Sequence, residues 1–263
     1  MKTEELTDLD NVKTLKTTVL YPDGSNREEE VRIIHEHNLT ITVNEHPAYR
    51  LICTKNDLKE LVTGRLLTDG LIESAGDIYK IFFSKCEREA NVFLNKNISW
   101  EDDINSVSTC CAGNRVYNKR KEEILKPLPD HEFKTEWIFA LAEEFGKVTG
   151  LHALTGGSHI CILATKGKTI YTTEDIGRHN AVDKAVGYAL LNGIVLRECM
   201  IFTSGRVPVD MVEKVIAAGI PVLVSKSVPT AESVELAKEY GLDLICRAWP
   251  DKCEVISKTY HKR

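Results

Sequence analysis

The chain has 263 residues, 43% of them hydrophobic, which is enough to bury the core of one large or two medium domains. Its formal net charge of −5 argues against general nucleic-acid binding, because displacing counterions from nucleic acid needs a basic surface. No apolar run approaches the roughly 20 residues that cross a bilayer, and the first ten residues are polar and acidic. We therefore expect a cytoplasmic protein that enters no membrane.

The first half of the chain has the pattern of an α+β domain. Short apolar runs bounded by turn residues predict strands over residues 14–20, 28–34, 38–43, 49–54, 78–83 and 91–94. One helix interrupts them, with Asn56 as its N-cap and Gly70 at its end. We expect residues 1–126 to form this strand-rich domain.

In the second half, strands alternate with helices. Helices are predicted over residues 135–147, 181–190, 209–218 and 231–240, and strands over residues 160–165, 169–172, 200–203, 221–224 and 242–246. This alternation predicts a mainly parallel or mixed sheet covered on both faces. The polar, proline-containing residues 118–136 separate the halves, so residues 127–263 are expected to form an α/β domain.

Three strand-to-helix turns of this half are candidate ligand-binding segments. Residues 177–179, 204–206 and 225–227 should converge, because such turns lie at the carboxyl edge of a sheet. Each turn combines small residues with a cation. A single turn of this kind is more often an ordinary polar loop, whereas three together favour an anionic ligand with several phosphate-like groups.

Two adjacent cysteines, Cys110 and Cys111, lie just before the domain boundary among small and polar residues that predict a loop. The nearby cations Arg115, Lys119 and Arg120 favour the thiolate, the form that acts as a nucleophile or carries sulfur. The alternative is a pair of small buried residues at a strand end. No metal site is predicted, because the chain contains no C-x-x-C pair. We expect most of the other cysteines to be reduced and buried: Cys53, Cys86, Cys161, Cys199, Cys246 and Cys253.

Several segments together resemble the formate dehydrogenase accessory sulfurtransferase family (FdhD). The most specific is the Glu-Asp-Ile-Gly-Arg-His-Asn-Ala-Val-Asp-Lys sequence of residues 174–184. The others are residues 43–44, 57–70, 108–110, 155–159, 204–206, 218–223, 229–230 and 234–237. The resemblance implies that the protein takes persulfide sulfur from a cysteine desulfurase. It would pass this sulfur to the molybdenum or tungsten of a bis(guanine dinucleotide) pterin cofactor that formate dehydrogenase requires.

The resemblance also assigns roles to individual residues. Cys110 matches the first cysteine of the family's usual Cys-x-x-Cys pair, so it would be the catalytic sulfur acceptor, whereas Gly113 stands at the second position. The sequence leaves open whether Cys111 serves as an accessory thiol instead. The cofactor, Mo-bis(molybdopterin guanine dinucleotide), would contact the stretch made of Ala248, Trp249, Pro250, Asp251, Lys252 and Cys253. The turns with Gly177, Arg178, His179, Ser204, Gly205 and Arg206 would hold its phosphates.

By the same resemblance, the C-terminal domain would be a three-layer α/β/α sandwich like the cytidine deaminase fold. The deaminase zinc signature, H-x-E with P-C-x-x-C, is missing, which argues against zinc-dependent deamination. One alternative function is a cofactor-binding chaperone that transfers no sulfur. A redox disulfide between adjacent cysteines is less favoured because it would close a strained ring. A homodimer or a mobile loop would be needed to bring Cys110 to the cofactor.

Overall fold

The computed structural model describes residues 11–98 and 124–258. In this part of the chain the strands are β1 (Val12–Leu20), β2 (Asn26–Ile34), β3 (His37–Val43), β4 (His46–Cys53), β5 (Ile78–Phe83), β6 (Glu89–Leu94), β7 (His159–Thr165), β8 (Lys168–Asp175), β9 (Cys199–Thr203), β10 (Val222–Ser225), β11 (Asp243–Cys246) and β12 (Glu254–Ser257). The helices are α1 (Leu58–Thr68), α2 (Thr135–Gly146), α3 (Leu151–Thr155), α4 (Arg178–Leu191), α5 (Val209–Ala217) and α6 (Ala231–Tyr240).

The N-terminal half contains the predicted hairpins. Strands β1 and β2 pair antiparallel as a two-stranded sheet, and β3 to β6 form a four-stranded sheet in the order β4-β3-β6-β5. The prediction that Asn56 caps α1 is wrong. Asp57 holds the cap position with a left-handed φ of 54°, and its side chain makes no capping hydrogen bond. Asn56 instead donates from Nδ2 to the Asp57 carboxylate at 2.8 Å.

The second half contains a six-stranded mixed sheet, as the alternation predicted. Its order is β12-β11-β10-β9-β7-β8, in which β9, β10 and β11 are parallel. Strand β7 is antiparallel to both β9 and β8, so β8 runs in the same direction as β9. The carboxyl ends of β8, β9, β10 and β11 therefore share one edge with the amino end of β7. We call this edge the carboxyl rim.

Helices cover both faces of this sheet. Alternate strand residues such as Ile162 and Phe202 pack with α2, where the rings of Phe145 and Phe202 lie 5.0 Å apart. The intervening residues, such as Leu163 and Ile201, join the cluster that contains the buried residues of α4, α5 and α6. The arrangement is α/β/α, and its likeness to the cytidine deaminase fold stays a prediction.

A close crossing of α1 and α4 connects the two halves. A Cβ built on Gly64 of α1 would lie 1.8 Å from the carbonyl oxygen of Asp183, and one on Gly187 of α4 would lie 1.9 Å from that of Glu60. Only glycine at both positions allows the backbones to come this close. One hydrophobic cluster consequently runs from the four-stranded sheet through α1 and α4 to the six-stranded sheet. The domain boundary between residues 126 and 127 stays a prediction.

We predict that Gly64→Ala lowers the free energy of unfolding by about 1–3 kcal/mol or more, because the added methyl group must push the two helix backbones apart. Urea unfolding checks this. Gly146→Ala is the matched control, since Gly146 ends α2 with no atom within 4 Å of an added Cβ. The control should be neutral or slightly stabilising. Equal stability of both variants would contradict the close crossing.

Candidate functional site

The three predicted turns meet at the carboxyl rim. A Cβ added to Gly205 would lie 2.8 Å from the Cβ of Arg178. The turn after β9 therefore packs directly against the turn after β8, and only glycine fits at position 205. Ser225, at the end of β10, donates from Oγ to the carbonyl oxygen of Gly205 at 2.8 Å. These contacts confirm that the turns converge, as the strand directions require.

The predicted cofactor-binding stretch adjoins these turns. The N–H of Ala248 donates to the carbonyl oxygen of Ser225 at 3.0 Å. The Trp249 N–H donates to the carbonyl oxygen of Lys252 at 2.8 Å, and the Lys252 N–H donates to that of Trp249 at 3.3 Å. These two hydrogen bonds close a tight turn that contains Pro250 and Asp251. The side chains from Trp249 to Lys252 are exposed. By contrast, Ala248 is buried, and the half-buried Cys253 packs against the α2 side of the core.

Lys226 is the cation of the predicted turn at residues 225–227. Its Nζ lies 4.5 Å from the ring centroid of Trp249 and 5.3 Å from that of Phe145. Cation–π attraction of this kind orients an ammonium group without neutralising its charge. The sequence predicted a cation here from the Ser-Lys-Ser pattern of residues 225–227. It could not predict the contacts with Phe145 and Trp249, because these residues are distant in the chain.

The rim concentrates unpaired positive charge. Arg178, Arg206, Lys226 and Lys252 all lie along it, and within the described part of the chain none of their side chains makes a hydrogen bond or an ion pair. The Nε of Arg178 is fully buried and has no acceptor. Because the chain as a whole carries a net charge of −5, this is a local positive region that would attract an anion.

Two histidines near the rim differ in their surroundings. The Nδ1 of His159 lies 3.2 Å from the Oγ of Ser204, and burial together with the positive charge of Arg178 lowers the pKa of His159. His179, a predicted ligand residue, is 5% exposed, with Nε2 at 3.0 Å from Oδ2 of Asp210. Burial outweighs that carboxylate and lowers the pKa of His179. His179 therefore lies buried beside Asp210, where the first turns of α4 and α5 approach each other.

The acid pair at the end of β8 is used inside the protein. Asp175 is fully buried, and its Oδ1 accepts from the Gly177 N–H at 2.8 Å and from Asn180 Nδ2 at 3.0 Å. Its Oδ2 lies 2.7 Å from Lys184 Nζ and accepts from the backbone and hydroxyl of Thr54, both at 3.1 Å. The Gly177 N–H is therefore occupied inside the protein and is not available to a ligand.

Glu174 holds the segment that precedes β7. Its Oε2 accepts from the Ser158 hydroxyl at 2.7 Å and from the His152 N–H. Its carbonyl oxygen accepts from Lys184 Nζ at 3.1 Å. Glu174 is only 7% exposed. From this buried position it holds in place the residues that lead into His159.

We predict that Asp175→Asn lowers the free energy of unfolding by about 3–5 kcal/mol, because it leaves the buried Lys184 ammonium without its carboxylate. Asp251→Asn, an exposed change of the same type, should alter it by less than about 0.5 kcal/mol. Thermal and urea unfolding would show the difference. Similar stability of the two variants would mean that Asp175 does not hold the turn.

The predicted sulfur acceptor, Cys110, and its neighbour Cys111 lie outside the described residues. Among the described cysteines, Cys53, Cys161, Cys199 and Cys246 are buried as expected, and burial raises the pKa of Cys53 to about 12. Cys86 is the exposed cysteine among the described residues, and the expectation that most of them are buried is confirmed. A hydrogen bond with the Ser84 hydroxyl lowers the pKa of the Cys86 thiol.

None of the helices in residues 11–98 and 124–258 is both long and apolar enough to cross a membrane. In the same residues no group of three or more His, Cys, Asp or Glu side chains is arranged to share a metal ion.

The comparisons with known proteins agree with one another. Residues 34–262 match the FdhD/NarQ family. Sulfur carrier protein FdhD of Listeria innocua is 30% identical over 241 residues, which cover 89% of this chain and 92% of the relative. Its counterpart in Geobacillus kaustophilus is 33% identical over 236 residues, covering 86% and 88%.

A solved structure extends this similarity to the fold. The crystal structure of a protein from Desulfotalea psychrophila, described as a formate dehydrogenase accessory protein, superposes with a TM-score of 0.78 at 27% identity. The superposition covers 94% of this chain and 97% of that one. The sequence match and the shared fold lead to one conclusion: this chain belongs to the FdhD/NarQ family.

Proposed function

We propose that this protein is a sulfur carrier for formate dehydrogenase, which accepts persulfide sulfur on Cys110 and transfers it to the cofactor's metal. Its cargo would be the molybdenum or tungsten bis(guanine dinucleotide) pterin cofactor, bound at the carboxyl rim. Relatives named sulfur carrier protein FdhD and a structural neighbour described as a formate dehydrogenase accessory protein support the proposal. The observation that carries it is the row of unpaired cations along the rim.

The rim suits a ligand with two pyrophosphates. Arg178, Arg206, Lys226 and Lys252 supply four positive charges that no carboxylate of the described residues neutralises. Guanidinium and ammonium groups form their strongest hydrogen bonds with charged acceptors such as phosphate oxygens. The ring of Trp249 is 41% exposed beside Lys226, which leaves an apolar surface for a planar base.

In the proposed reaction, the Cys110 thiolate attacks the outer sulfur of a persulfide on the cysteine desulfurase. The S–S bond of the donor breaks, the donor cysteine leaves as a thiolate, and Cys110 becomes a persulfide anion. The S–S bond of the Cys110 persulfide would then break, with Cys110 leaving as a thiolate and the terminal sulfur becoming a sulfide ligand of the metal, which would give up the two electrons that this requires. Arg178, Arg206, Lys226 and Lys252 would hold the negative charge of the phosphates. Cys111 would act as an accessory thiol.

The partners follow from this scheme. A cysteine desulfurase supplies the sulfur, and formate dehydrogenase receives the sulfurated cofactor, both in the cytoplasm. A homodimer would offer one way for Cys110 of one subunit to reach the rim of the other.

The second candidate function is a cofactor chaperone that protects and delivers the pterin without transferring sulfur. It would use the same rim. The presence of Gly113 at the family's second cysteine position favours it, because a two-cysteine exchange on the usual spacing is then absent.

We predict that incubation with a cysteine desulfurase and cysteine adds about 32 Da to the wild-type protein, the mass of one persulfide sulfur. Intact-protein mass spectrometry should show the same gain in Cys111→Ala and none in Cys110→Ala. Cys86→Ala is a useful control, since Cys86 is the exposed thiol of the described residues. A gain that survives in Cys110→Ala, or no gain in wild type while the cofactor still binds, would favour the chaperone.

We predict that Arg206→Ala and Lys226→Ala each weaken the binding of GDP, the nucleotide part of the cofactor, by about tenfold, because each removes one phosphate-binding cation. Isothermal titration calorimetry measures this. The control is Lys238→Ala on α6, whose ammonium pairs with Glu235 on an exposed helix surface. Persulfide loading of Cys110 should be unchanged in all three variants. Unaltered GDP affinity in both rim variants would contradict binding at the rim.

A further inference from the structure

A cavity of about 440 Å³ lies at the edge of the six-stranded sheet opposite the carboxyl rim. Its lining includes Met200 and Val222, which are register partners where β9 and β10 begin, together with the aromatic residues Phe133 and Trp137. This volume is within the range of small-molecule sites, which are mostly apolar pockets with a few placed polar groups. The cavity shares no residue with the rim.

The walls of the cavity are fixed by internal contacts. Trp137 packs on the turn between β7 and β8, where a Cβ on Gly167 would lie 2.7 Å from its ring. His131 anchors the segment that carries Phe133: its Nε2 lies 2.8 Å from Oδ2 of Asp243, and its Nδ1 lies 3.1 Å from the Pro129 carbonyl oxygen. The aromatic walls therefore exist before any ligand binds, which lowers the entropic cost of binding.

The mouth of the cavity carries charges of both signs. Arg197 and Glu198 are consecutive in a short 3₁₀ helix, Leu196–Glu198, and both are exposed and line the cavity. Within the described part of the chain, neither side chain has a hydrogen-bond or ion-pair partner. Lys166 adds a second cation to the lining, and Asp130 and Glu132 add two further carboxylates. A purely anionic ligand would meet the Glu198 carboxylate, and a purely cationic one would meet Arg197 and Lys166.

A ligand with an ammonium and a carboxylate close together satisfies both signs at once. We propose that this cavity binds a free α-amino acid with a large apolar or aromatic side chain. The ligand carboxylate pairs with Arg197 and Lys166, and its ammonium pairs with Glu198. Its side chain lies between Phe133 and Trp137. The site is independent of the proposed sulfur transfer.

Calorimetric titration with three probes tests this. L-Phenylalanine should bind saturably, whereas 3-phenylpropionate, which lacks the ammonium, and phenethylamine, which lacks the carboxylate, should bind at least about tenfold more weakly. Arg197→Gln and Glu198→Gln should each weaken L-phenylalanine binding by about tenfold. Both residues are exposed, so the variants should fold normally. The matched controls are Lys238→Gln and Glu235→Gln, an exposed pair on α6, and they should bind like wild type.

Tryptophan fluorescence locates the ligand. The chain has three tryptophans, and the change caused by L-phenylalanine should be lost in Trp137→Phe and kept in Trp249→Phe. Four results would each overturn the proposal: no saturable binding of L-phenylalanine, equal binding by either analogue, unchanged affinity in both charge variants, or a fluorescence change that depends on Trp249 instead of Trp137.

Discussion

The structure depends on a group of buried charges where α1, α4 and α5 meet. Asp183 of α4 accepts from Lys214 Nζ at 2.8 and 2.9 Å and from the Thr68 hydroxyl at 2.8 Å. Beside it, Arg65 donates from Nε to Asp69 at 2.7 Å. Two carboxylates balance two cations, and each of these charged residues is at most 5% exposed. Since an unpaired buried charge costs several kcal/mol, these helices can pack in essentially one orientation.

The same helix links this interior to the carboxyl rim. Lys184 directly follows Asp183 in α4, and it reaches back to Asp175 at 2.7 Å, just before the helix begins. Glu174 and Asp175 are both occupied by internal hydrogen bonds. Both carboxylates of this segment thus stabilise the fold. Neither of them pairs with Arg178 at the rim. The positive rim is a consequence of how the interior is neutralised.

The two edges of the six-stranded sheet differ in chemistry. The carboxyl rim presents cations and the exposed ring of Trp249, which suits a large polyanion. The opposite edge presents a cavity with aromatic walls and with charges of both signs, among them Arg197 and Glu198, which suits the proposed small zwitterion. The buried strands between them form a rigid element, so each site is held in a preformed geometry.

The sequence by itself determined most of the strands and helices, the mixed sheet and the convergence of the three turns. Those features follow from local periodicity and from the rule that parallel strands end at one edge. Only the tertiary structure decided that Asp175 is bonded to Thr54, 121 residues away, or that Lys226 lies between Phe145 and Trp249. It also showed Cys86 to be exposed. These features depend on which distant segments of the chain come together in the fold. A sequence pattern gives no distance between such segments, so it could not predict these contacts.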